Sequence, residues 1–580
     1  MNLSNPDSQR RLPKSLCLLF FFFSWAFYAL TCCRNVGWID SALHVHLVYK
    51  LGFGAWVNRH NLFYLLGWLW TYVVPFGNIA YRVNLFCAFC GALTVFFIFL
   101  TGIEITRNRP ASLWGALCLM FSHSLWWHST ITEVYTLNTA LLALTIYCIA
   151  RFNSSRKTRE LYAACFFFGL ACSNHVLMWL FLLSFAGLFY LPDEKKRLRQ
   201  GKTLFYMLLF FLAGFQLYLI IFLRDFYAAF LKLPAPTPGI PGGISTFTRL
   251  LHEATGGNFK KLMFPRYDLP AIESLKIYLK WHLNYLFLLV MNYPSAALIF
   301  GFIGFSAFWK KREWRATFWF VLLAFFVNTA WAVNYHVWDQ YAFGLPSWVL
   351  FGLFVIVGLD YLWKKSGPRH FILILSMATV FCGPILYGRI PHWAKQPGFW
   401  NNYFGCFRYT SNMWDASEYF ASPYKHHYDL VPRISESIFR KLPPGAILYD
   451  SDDKGIYPLK LYFQDIYKIR PDIQYVAFWG PTATEAEGRQ DAQRIIAQLG
   501  EGKEVFISSL YWPEWIILRH LYLVSENKTS AEDFAAAYRL KPEELIKLFK
   551  HYRIKKIPLL EGQPYCIYKI EPLNVEHRNI

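Results

Sequence analysis

The fold is decided by two adjoining stretches of sequence, LCLLFFFFSWAFYALT (Leu16–Thr31) and CRNVGWIDSALHVHLVYKLGFGAWVNRH (Cys33–His60). The first stretch is apolar and long enough to cross much of a bilayer, and it follows the basic residues Arg10, Arg11 and Lys14. Basic flanks of a membrane helix stay in the cytoplasm. The second stretch is therefore predicted to lie just outside the membrane.

Asp40 is the only carboxylate in the second stretch, which is otherwise rich in aromatic residues, His and Arg. Its predicted position, just beyond the end of the first helix, is the depth at which a lipid-linked phosphate rests. This mixture of side chains suits the wall of a site at the membrane surface. The alternative is that Asp40 is a solvated loop residue with no role in chemistry.

The composition predicts an integral membrane protein with several spans. Hydrophobic residues make up 55% of the 580 residues and charged residues only 16%, with 55 Phe, 36 Tyr and 23 Trp. Soluble domains carry about 25% charged residues. The net charge of +21 could suggest a nucleic-acid partner, but Lys and Arg lie in short clusters between apolar runs, as the positive-inside rule requires. We therefore expect a lipid bilayer, and no nucleic acid, as a partner.

The apolar runs predict about eleven transmembrane helices. They begin near Leu16, Asn78, Ala111, Tyr135, Leu161, Val176, Thr203, Trp281, Ala316, Phe343 and Phe371. With these spans every basic cluster between the runs falls on one side of the membrane, namely Arg107 and Arg109; Arg151, Arg156, Lys157 and Arg159; Lys195, Lys196, Arg197, Arg199 and Lys202; Lys310, Lys311, Arg312 and Arg315; Lys364, Lys365 and Arg369. The N-terminus is predicted on that cytoplasmic side.

One stretch, Leu161–Leu191, must leave the membrane and re-enter it between two basic loops that lie close together in the sequence. Two short helices that break at Ser173, Asn174 and His175 satisfy this requirement. Irregular backbone at membrane depth is tolerated only where it is buried in protein or lines a cavity. The break is therefore a candidate site by itself.

The apolar runs end after Gly388, and a conventional globular region begins. We predict a transmembrane domain over residues 1–390, with outer loops 33–77 and 225–277, and an extracytoplasmic domain over residues 391–580. In the second domain, AILYDSDDKGIYPLKLYFQ (446–464) predicts a strand and a helix, and the sequence that follows predicts two more strands around another helix. The fold class is an α-helical polytopic membrane protein with a small α/β C-terminal domain.

Several blocks of this sequence resemble, in the same order, the characteristic blocks of one multi-spanning membrane family. They read WIDSALHVHLVYKLG, PFGNIAYRVNLFCAFCGAL, WWHSTITEVYTLNTALLAL, GLACSNHVLMWL and ISTFTRLLHEATGGNF, followed by AILYDSDDKGIYPLKLYFQ and IRPDIQYV. The animal member of this family is the endoplasmic-reticulum protein O-mannosyltransferase that modifies IPT domains of plexins and related receptors. By architecture the family belongs to the GT-C glycosyltransferases, which take a sugar from a polyprenyl phosphate on the outer face.

The resemblance implies a GT-C-like glycosyltransferase that moves a sugar, mannose in the animal member, to a protein hydroxyl or a glycan. The donor is a polyprenyl-phosphate sugar, and no divalent metal is required. The membrane is a bacterial inner membrane, or the endoplasmic reticulum for a eukaryotic chain, with the C-terminal domain extracytoplasmic. Two other classes stay open, a catalytically silent binder of lipid-linked sugar and a transporter of a lipid-linked or small anionic substrate.

Such a transfer needs a base for the acceptor hydroxyl and cations or donors that hold the departing phosphate. Asp40 corresponds to the family's base in the first outer loop, and Glu133 is the reserve, although Glu133 could instead form an ion pair with Arg82. The expected phosphate-binding residues are Arg82, His128, Asn174 and His175. The expected substrate-lining residues are Trp38, Trp127, Tyr135, His252 and Asp339. The tryptophans have a second interpretation, as an aromatic belt at the membrane surface.

The sequence departs from the family pattern at two places. Relatives usually read DSGE where this chain has Asp40, Ser41, Ala42 and Leu43, and they carry an HPPGYP-like motif where this chain has WVNRHN (Trp56–Asn61). One acidic residue of the usual pair is therefore absent. This departure is the main support for the silent-binder class.

The one-sided basic clusters generate a testable topology. In intact cells, an impermeant thiol reagent should label a Gly480→Cys variant and leave a Leu198→Cys variant unlabelled, because position 480 is predicted outside and position 198 inside. Permeabilised cells, in which both positions are reachable, provide the control. Labelling of position 198 alone in intact cells would contradict the model.

Overall fold

The computed structural model describes residues 13–38, 40–52, 60–190, 200–231, 263, 270–335, 337, 340–365, 369–394, 416–450, 458–477, 485–508, 552–563 and 565–572. The chain forms two compact units. The helical unit comprises Met1–Cys33, Leu47–Arg408 and Phe420–His426, and the α/β unit comprises Arg34–His46, Tyr409–Tyr419 and His427–Ile580. The predicted domain boundary near residue 390 stays a prediction.

The first part of the chain is almost entirely helical. In order, its helices are α1 (Lys14–Thr31), α2 (Asp40–Tyr49), α3 (Asn61–Val73), α4 (Ile79–Thr106), α5 (Arg109–Met120), α6 (His123–Thr130), α7 (Tyr135–Ser155), α8 (Thr158–Asn174), a 3₁₀ helix (Val176–Tyr190), α9 (Gly201–Phe230), α10 (Ala271–Asn292), α11 (Ala296–Lys310), a short 3₁₀ turn (Arg312–Trp314), α12 (Arg315–Asn334), α13 (Gln340–Phe343), α14 (Leu345–Lys365) and α15 (Arg369–Ala394).

Seven of the described helices are long and apolar enough to cross a membrane, and the pair α10 and α11, bent by 105°, raises the number to as many as eight. Each predicted start lies on or beside a described helix. The described residues hold fewer spans than the predicted number because α5, α8 and the 3₁₀ helix have only 12, 17 and 15 residues. The prediction of an α-helical polytopic membrane protein is confirmed.

Burial separates central from peripheral helices of the helical unit. The apolar window of α14 is buried over 89% of its residues and that of α4 over 72%, whereas the windows of α9 and α1 are buried over only 17% and 22%. A helix that is apolar all round and enclosed by protein lies at the centre of a bundle, and an apolar helix with exposed Leu and Phe faces lipid. Helices α4 and α14, together with α7, whose window is buried over 78%, are therefore the core of this unit.

Glycines allow two pairs of helices to approach at backbone distance. A Cβ on Gly304 of α11 would press against the carbonyl oxygen of Phe354 in α14, and one on Gly358 of α14 would press against the carbonyl oxygen of Phe300. The same reciprocal arrangement joins α8 and α9, where Gly169 and Gly214 lie against each other's backbone. Without a hydrophobic drive between helices in lipid, small residues at the interface provide the close packing that holds them together.

A buried carboxylate, Glu104 near the end of α4, collects basic side chains from two of the predicted cytoplasmic loops. Its carboxylate oxygens lie 3.1 Å from an Arg107 nitrogen and 3.3 Å from an Arg151 nitrogen. Ser154 donates a hydrogen bond of 2.6 Å to the same carboxylate. A buried carboxylate is tolerated because these partners satisfy it.

Asp360 near the end of α14 makes a second network of this kind. It is 1% exposed, and its carboxylate lies 2.8 Å from Lys364 and 3.4 Å from Lys311, while Asn108 donates to it at 3.2 Å. Together the two networks join the loops that follow α4, α7, α11 and α14. These predicted cytoplasmic loops therefore lie at one end of the helical unit, as the topology requires.

The α/β unit contains a five-stranded sheet with the order β2-β1-β3-β5-β4. The strands are β1 (Ile447–Asp450), β2 (Gln474–Ala477), β3 (Val505–Ile507), β4 (Tyr552–Pro558) and β5 (Cys566–Pro572). Strand β1 pairs in parallel with β2 and β3, and β5 pairs antiparallel with β3 and β4. The core of the sheet is formed by Ile447, Tyr449, Ile495, Val505, Ile507, Ile554, Cys566, Tyr568 and Ile570.

The helices of this unit are α17 (Leu430–Lys441), a π-helix (Pro458–Gln464) and α18 (Glu485–Gly500), and the chain also forms a short helix α16 (Ala416–Ala421). The predicted α/β domain with its first three strands is confirmed. Strands β4 and β5 were not predicted, although they form a continuous antiparallel pair from Tyr552↔Pro572 to Pro558↔Cys566. The outer-loop block ISTFTRLLHEATGGNF (244–259) lies outside the described residues.

The close approach of α11 and α14 can be tested at Gly304. A Gly304→Ala variant should lower the melting temperature of the purified protein in detergent, because its methyl group meets a backbone carbonyl; overpacking costs about 1–3 kcal/mol. Gly388→Ala in α15 is the matched control, since its Cβ would meet nothing within 4 Å and alanine favours a helix by about 1 kcal/mol. Equal melting temperatures for the two variants would refute this packing.

Candidate functional site

The predicted break in the stretch Leu161–Leu191 is present. Helix α8 ends at Asn174, His175 is extended with φ −150° and ψ 132°, and the 3₁₀ helix begins at Val176. Broken helices inside a membrane protein need side chains that satisfy the freed backbone groups. The surroundings of the break provide them.

Asn174, which is 1% exposed, joins three helices at this break. Its side-chain oxygen accepts a hydrogen bond of 2.9 Å from the backbone N–H of Phe63, in the first turn of α3. Its amide nitrogen donates to the side chain of Asn138 in α7 at 2.7 Å and contacts the carbonyl oxygen of Val134 at 3.5 Å. The N–H groups of a first helical turn lack intrahelical partners, so Asn174 satisfies one that α3 cannot.

A row of rings extends from the break, and we call its five residues the His–Tyr row. The ring centroids of His60 and His175 lie 4.8 Å apart, those of His175 and Tyr135 5.7 Å, those of Tyr135 and His128 5.4 Å, and those of His128 and Tyr341 5.3 Å. Three of the predicted site residues therefore lie together. His60 is fixed to the break by a hydrogen bond of 3.0 Å between its Nδ1 and the carbonyl oxygen of Asn174.

The ring of His128 has a hydrogen-bond acceptor at Nε2. Its Nδ1 lies 2.6 Å from the carbonyl oxygen of Ser124, which can only accept, so Nδ1 carries the proton and Nε2 of the neutral ring is an acceptor. Nε2 is buried and has no hydrogen-bond partner among the residues that the structure describes. Burial lowers the pKa of His128 to about 3, so the ring stays neutral at physiological pH.

His175 has the opposite tautomer. Its Nδ1 accepts a hydrogen bond of 3.0 Å from the backbone N–H of Leu177, so the proton of the neutral ring lies on Nε2. The His–Tyr row therefore offers an N–H donor at His175 and an acceptor at His128.

Glu133 lies beside this row, at the segment between α6 and α7. Its backbone contacts the thiol of Cys87, which lies 3.4 Å from the carbonyl oxygen and 3.5 Å from the amide nitrogen. Arg82 precedes Cys87 by five residues in α4, a rise of about 7.5 Å along the helix axis. Arg82 in α4 is therefore close to the segment that holds Glu133. Helix α7 begins directly after this segment, so the N-terminal end of its dipole lies there as well.

Arg82 donates from Nε to the carbonyl oxygen of Gly77 at 3.2 Å and forms no ion pair with any residue that the structure describes. The alternative role of Glu133, as the ion-pair partner of Arg82, is therefore not seen. A half-buried guanidinium with spare N–H donors, in the first turn of a helix, suits an anionic ligand.

The tryptophans lie inside the protein. Trp127 is 1% exposed and packs on Tyr341 and Phe420 with ring centroids 5.1 and 5.2 Å apart. Trp126 is also buried and donates from its indole N–H to the hydroxyl of Thr31 at 3.0 Å. Aromatic-belt residues face the membrane surface, so the belt interpretation is wrong for these two side chains.

Asp40 and Trp38 belong to the α/β unit. Asp40 is the first residue of α2 and is half-buried. Trp38 is 1% exposed and donates from its indole N–H to the hydroxyl of Tyr428 at 2.8 Å. The other two predicted substrate-lining residues, His252 and Asp339, lie outside the described residues.

Sequence reasoning missed three members of this site. His60, Asn138 and Tyr341 all take part in the contacts around the break, but none was predicted to bind a ligand. Asn138 follows Tyr135 by three residues in α7, and this spacing places both on one face of the helix. Within the described ranges, no group of three or more His, Cys, Asp or Glu side chains is arranged to hold a metal ion.

The helices described above give a polytopic membrane fold that can be compared with solved structures. The fold resembles the crystal structure of ArnT from Cupriavidus metallidurans bound to undecaprenyl phosphate, with a TM-score of 0.53 and 11% identity, over 96% of this chain and 97% of that chain. At this identity the likeness shows the fold alone. The GT-C-like architecture that the sequence blocks predicted is confirmed.

The sequence comparisons find similarity to one family over part of the chain. Residues 60–199 match the family described as the Protein O-mannosyl-transferase TMEM260 N-terminal domain. The mouse Protein O-mannosyl-transferase TMEM260 is 31% identical over 177 residues, which are 30% of this chain and 25% of that protein. The Dictyostelium discoideum protein of the same name is 22% identical over 271 residues, 40% of this chain and 33% of that protein.

The chain therefore matches a quarter to a third of the length of these curated relatives. The resemblance that the sequence blocks indicated is confirmed over this region. The matched residues 60–199 include Arg82, Glu133, His128, Asn174 and His175. Asp40 precedes them.

The neutral, buried state of His128 makes stability depend on pH. Below pH ~6.5 the unfolded ring binds a proton, whereas the folded ring, with its pKa at about 3, does not. The free energy of unfolding therefore decreases as the pH falls, by up to about 1.4 kcal/mol per pH unit. Replacing His128 with Asn should therefore reduce the drop in melting temperature between pH 7.5 and pH 5. The exposed His427, changed to Asn, is the control and should leave the drop unchanged. An undiminished drop in His128→Asn would show that this ring does not contribute.

Proposed function

We propose that this chain is a membrane glycosyltransferase that moves a sugar from a polyprenyl-phosphate donor to a hydroxyl group of a protein or glycan acceptor. Two findings support this proposal. The family model that matches residues 60–199 and the two similar proteins carry the name protein O-mannosyl-transferase, and the structure with the similar fold was solved with undecaprenyl phosphate bound. The relatives' name makes mannose the first sugar to test.

The single observation that carries the proposal is the arrangement of donors and acceptors around the break after Asn174. In the His–Tyr row, His175 has an N–H donor and His128 has a lone pair without a partner among the described residues, and α4 supplies the guanidinium of Arg82. A glycosyl phosphate has both kinds of partner, since its phosphate accepts hydrogen bonds and its sugar hydroxyls donate them.

The four predicted phosphate-binding residues differ in whether they have a free hydrogen-bond donor or acceptor. Arg82 and His175 have N–H donors, so we assign them to the phosphate. His128 accepts at Nε2, so we assign it to a sugar hydroxyl instead. The amide N–H groups of Asn174 already bond Asn138 and the Val134 carbonyl, so Asn174 holds the break in place and does not touch the donor.

The reaction that we propose needs one proton transfer and one displacement. Asp40 takes the proton of the acceptor hydroxyl, and the acceptor oxygen forms a bond with the anomeric carbon of the sugar. The bond between that carbon and the phosphate oxygen breaks, and polyprenyl phosphate leaves with the electron pair. Arg82 and the Nε2–H of His175 stabilise the charge that develops on the phosphate.

The proposed orientation places the N-terminus in the cytoplasm and residues 391–580 outside, so that transfer takes place on the outer face. Trp38, Trp127, Tyr135, His252 and Asp339 remain proposed as substrate-lining residues. Glu133 remains proposed as the reserve base, because its segment lies against the His–Tyr row.

One observation favours the silent-binder alternative. In α2, Asp40 and Leu43 are three residues apart and therefore neighbours on one helix face, at about 5–6 Å between Cβ atoms. Relatives of the family have an acidic residue at the position of Leu43. Without it, Asp40 has no acidic neighbour at this spacing, and the chain would bind lipid-linked sugar without transferring it.

The proposal is tested by incubating the purified protein in liposomes with a panel of polyprenyl-phosphate sugars and an acceptor protein, and by measuring released polyprenyl phosphate and labelled acceptor. Release that depends on both the protein and the acceptor supports a transferase. Saturable binding of a donor without release supports the silent binder.

Replacement of Asp40 with Asn tests the base assignment. The variant keeps shape and hydrogen bonding but loses basicity, so the transfer rate should fall about a hundredfold or more while donor binding survives. Asp429→Asn, on an exposed residue of the α/β unit that pairs with Arg433, is the matched control and should transfer at the parental rate. Parental activity in Asp40→Asn, together with loss of transfer in Glu133→Gln, would move the base to Glu133.

A further inference from the structure

The segment that carries Asp40 is part of the α/β unit, although the α/β sheet begins some four hundred residues later in the sequence. We propose that the α/β unit positions Asp40, through Tyr428 on one side of it and the π-helix Pro458–Gln464 on the other. The proposal rests on the proposed role of Asp40 as base, and it gives the C-terminal region a part in the reaction.

The first attachment precedes Asp40 by two residues. The buried Trp38 donates its indole N–H to the hydroxyl of Tyr428 at 2.8 Å, and the ring of Tyr428 lies 5.4 Å from that of Tyr419. Gly37 lies directly against the hydroxyl of Tyr419, where a Cβ would collide with it. The chain just before α2 is therefore held by packing around Gly37 and by a hydrogen bond between the buried Trp38 and the half-buried Tyr428.

The second attachment follows Asp40 by six residues, about 9 Å along the helix axis. Nδ1 of His46 lies 3.0 Å from the carbonyl oxygen of Leu461 and 3.9 Å from the carboxylate of Asp465. Lys460 lies 3.1 Å from the same carboxylate, so Asp465 connects His46 and the π-helix. Contacts on both sides of Asp40 leave the helix little freedom to turn or shift.

The burial pattern of α2 agrees with this arrangement. Ser41, Ala42 and Val45 are fully buried, whereas Asp40 and Leu43 are half-buried. Residues three apart lie on one face of a helix, so the face that carries Asp40 is the more accessible one. The buried side of the helix holds it, and the other side presents the carboxylate.

Orientation matters for this base because the acidic neighbour of other family members is replaced by Leu43. A general base works only within hydrogen-bond reach of the proton it takes, and a misplacement of about 1 Å can cost a hundredfold in rate. The attachments at Trp38 and His46 supply a constraint that a neighbouring carboxylate cannot supply here. Tyr428 is accordingly a positioning residue.

The test uses the full-length protein in liposomes and the variant Tyr428→Phe, which removes the hydroxyl that accepts from Trp38 and keeps the ring. We expect kcat to fall about tenfold while the KM for the donor stays within twofold, because the donor contacts are unchanged. Tyr467→Phe, on a half-exposed tyrosine whose ring packs on Tyr462, is the matched control and should keep the parental kcat.

A second measurement separates positioning from general damage. In an Asp40→Asn background, Tyr428→Phe should reduce the rate no further, since it acts through Asp40; a loss that adds fully to that of Asp40→Asn overturns the proposal. Amide hydrogen exchange over Asp40–Tyr49, which needs no activity, should be faster in Tyr428→Phe than in the parent. Unchanged exchange also overturns it. Faster exchange with parental activity in Asp40→Asn would keep the attachment and refute only the base assignment.

Discussion

The helical unit depends on one constraint: a broken helix at membrane depth must have every freed backbone group satisfied by protein. Asn174 meets this constraint, since it accepts from the N–H of Phe63 and donates to Asn138 and the carbonyl of Val134. An apolar residue here would leave buried polar groups of α3 and α7 without partners, at about 1–3 kcal/mol each. The His–Tyr row exists because this junction brings the ends of three helices together.

Electrostatics divide the helical unit into two different ends. At the predicted cytoplasmic end, Glu104 and Asp360 are buried and neutralised by Arg and Lys, so their charges hold helices together and are unavailable to a ligand. In the His–Tyr row, by contrast, burial keeps His128 neutral, and Arg82 in the first turn of α4 has no ion pair among the described residues. We therefore expect an anionic ligand at this second place, which is where the sequence also concentrates its unusual polar residues.

The sequence predicted the elements well and their junctions poorly. Basic clusters and apolar runs are local signals, so the spans, the one-sided loops and the break at Ser173–His175 could be read from it, as could the first three strands. Strand β5 was missed because its pairing partner β3 lies more than fifty residues earlier in the sequence, and β4 was missed with it because β4 pairs only with β5 among the described strands. Tautomers could not be predicted either, since those of His128 and His175 are set by the carbonyl of Ser124 and the amide of Leu177.

The position of Asp40 at the start of α2 determines what the absence of an acidic residue at position 43 does to it. A carboxylate in the first turn of a helix faces the positive end of the helix dipole, which stabilises its ionised form by about 0.3–1 kcal/mol. An adjacent carboxylate would oppose that ionisation by charge repulsion. Replacement by Leu therefore removes a repulsive neighbour while the contacts of Trp38 and His46 retain the orientation of the helix. The lack of an acidic residue at position 43 therefore does not by itself argue against the proposed role of Asp40 as base.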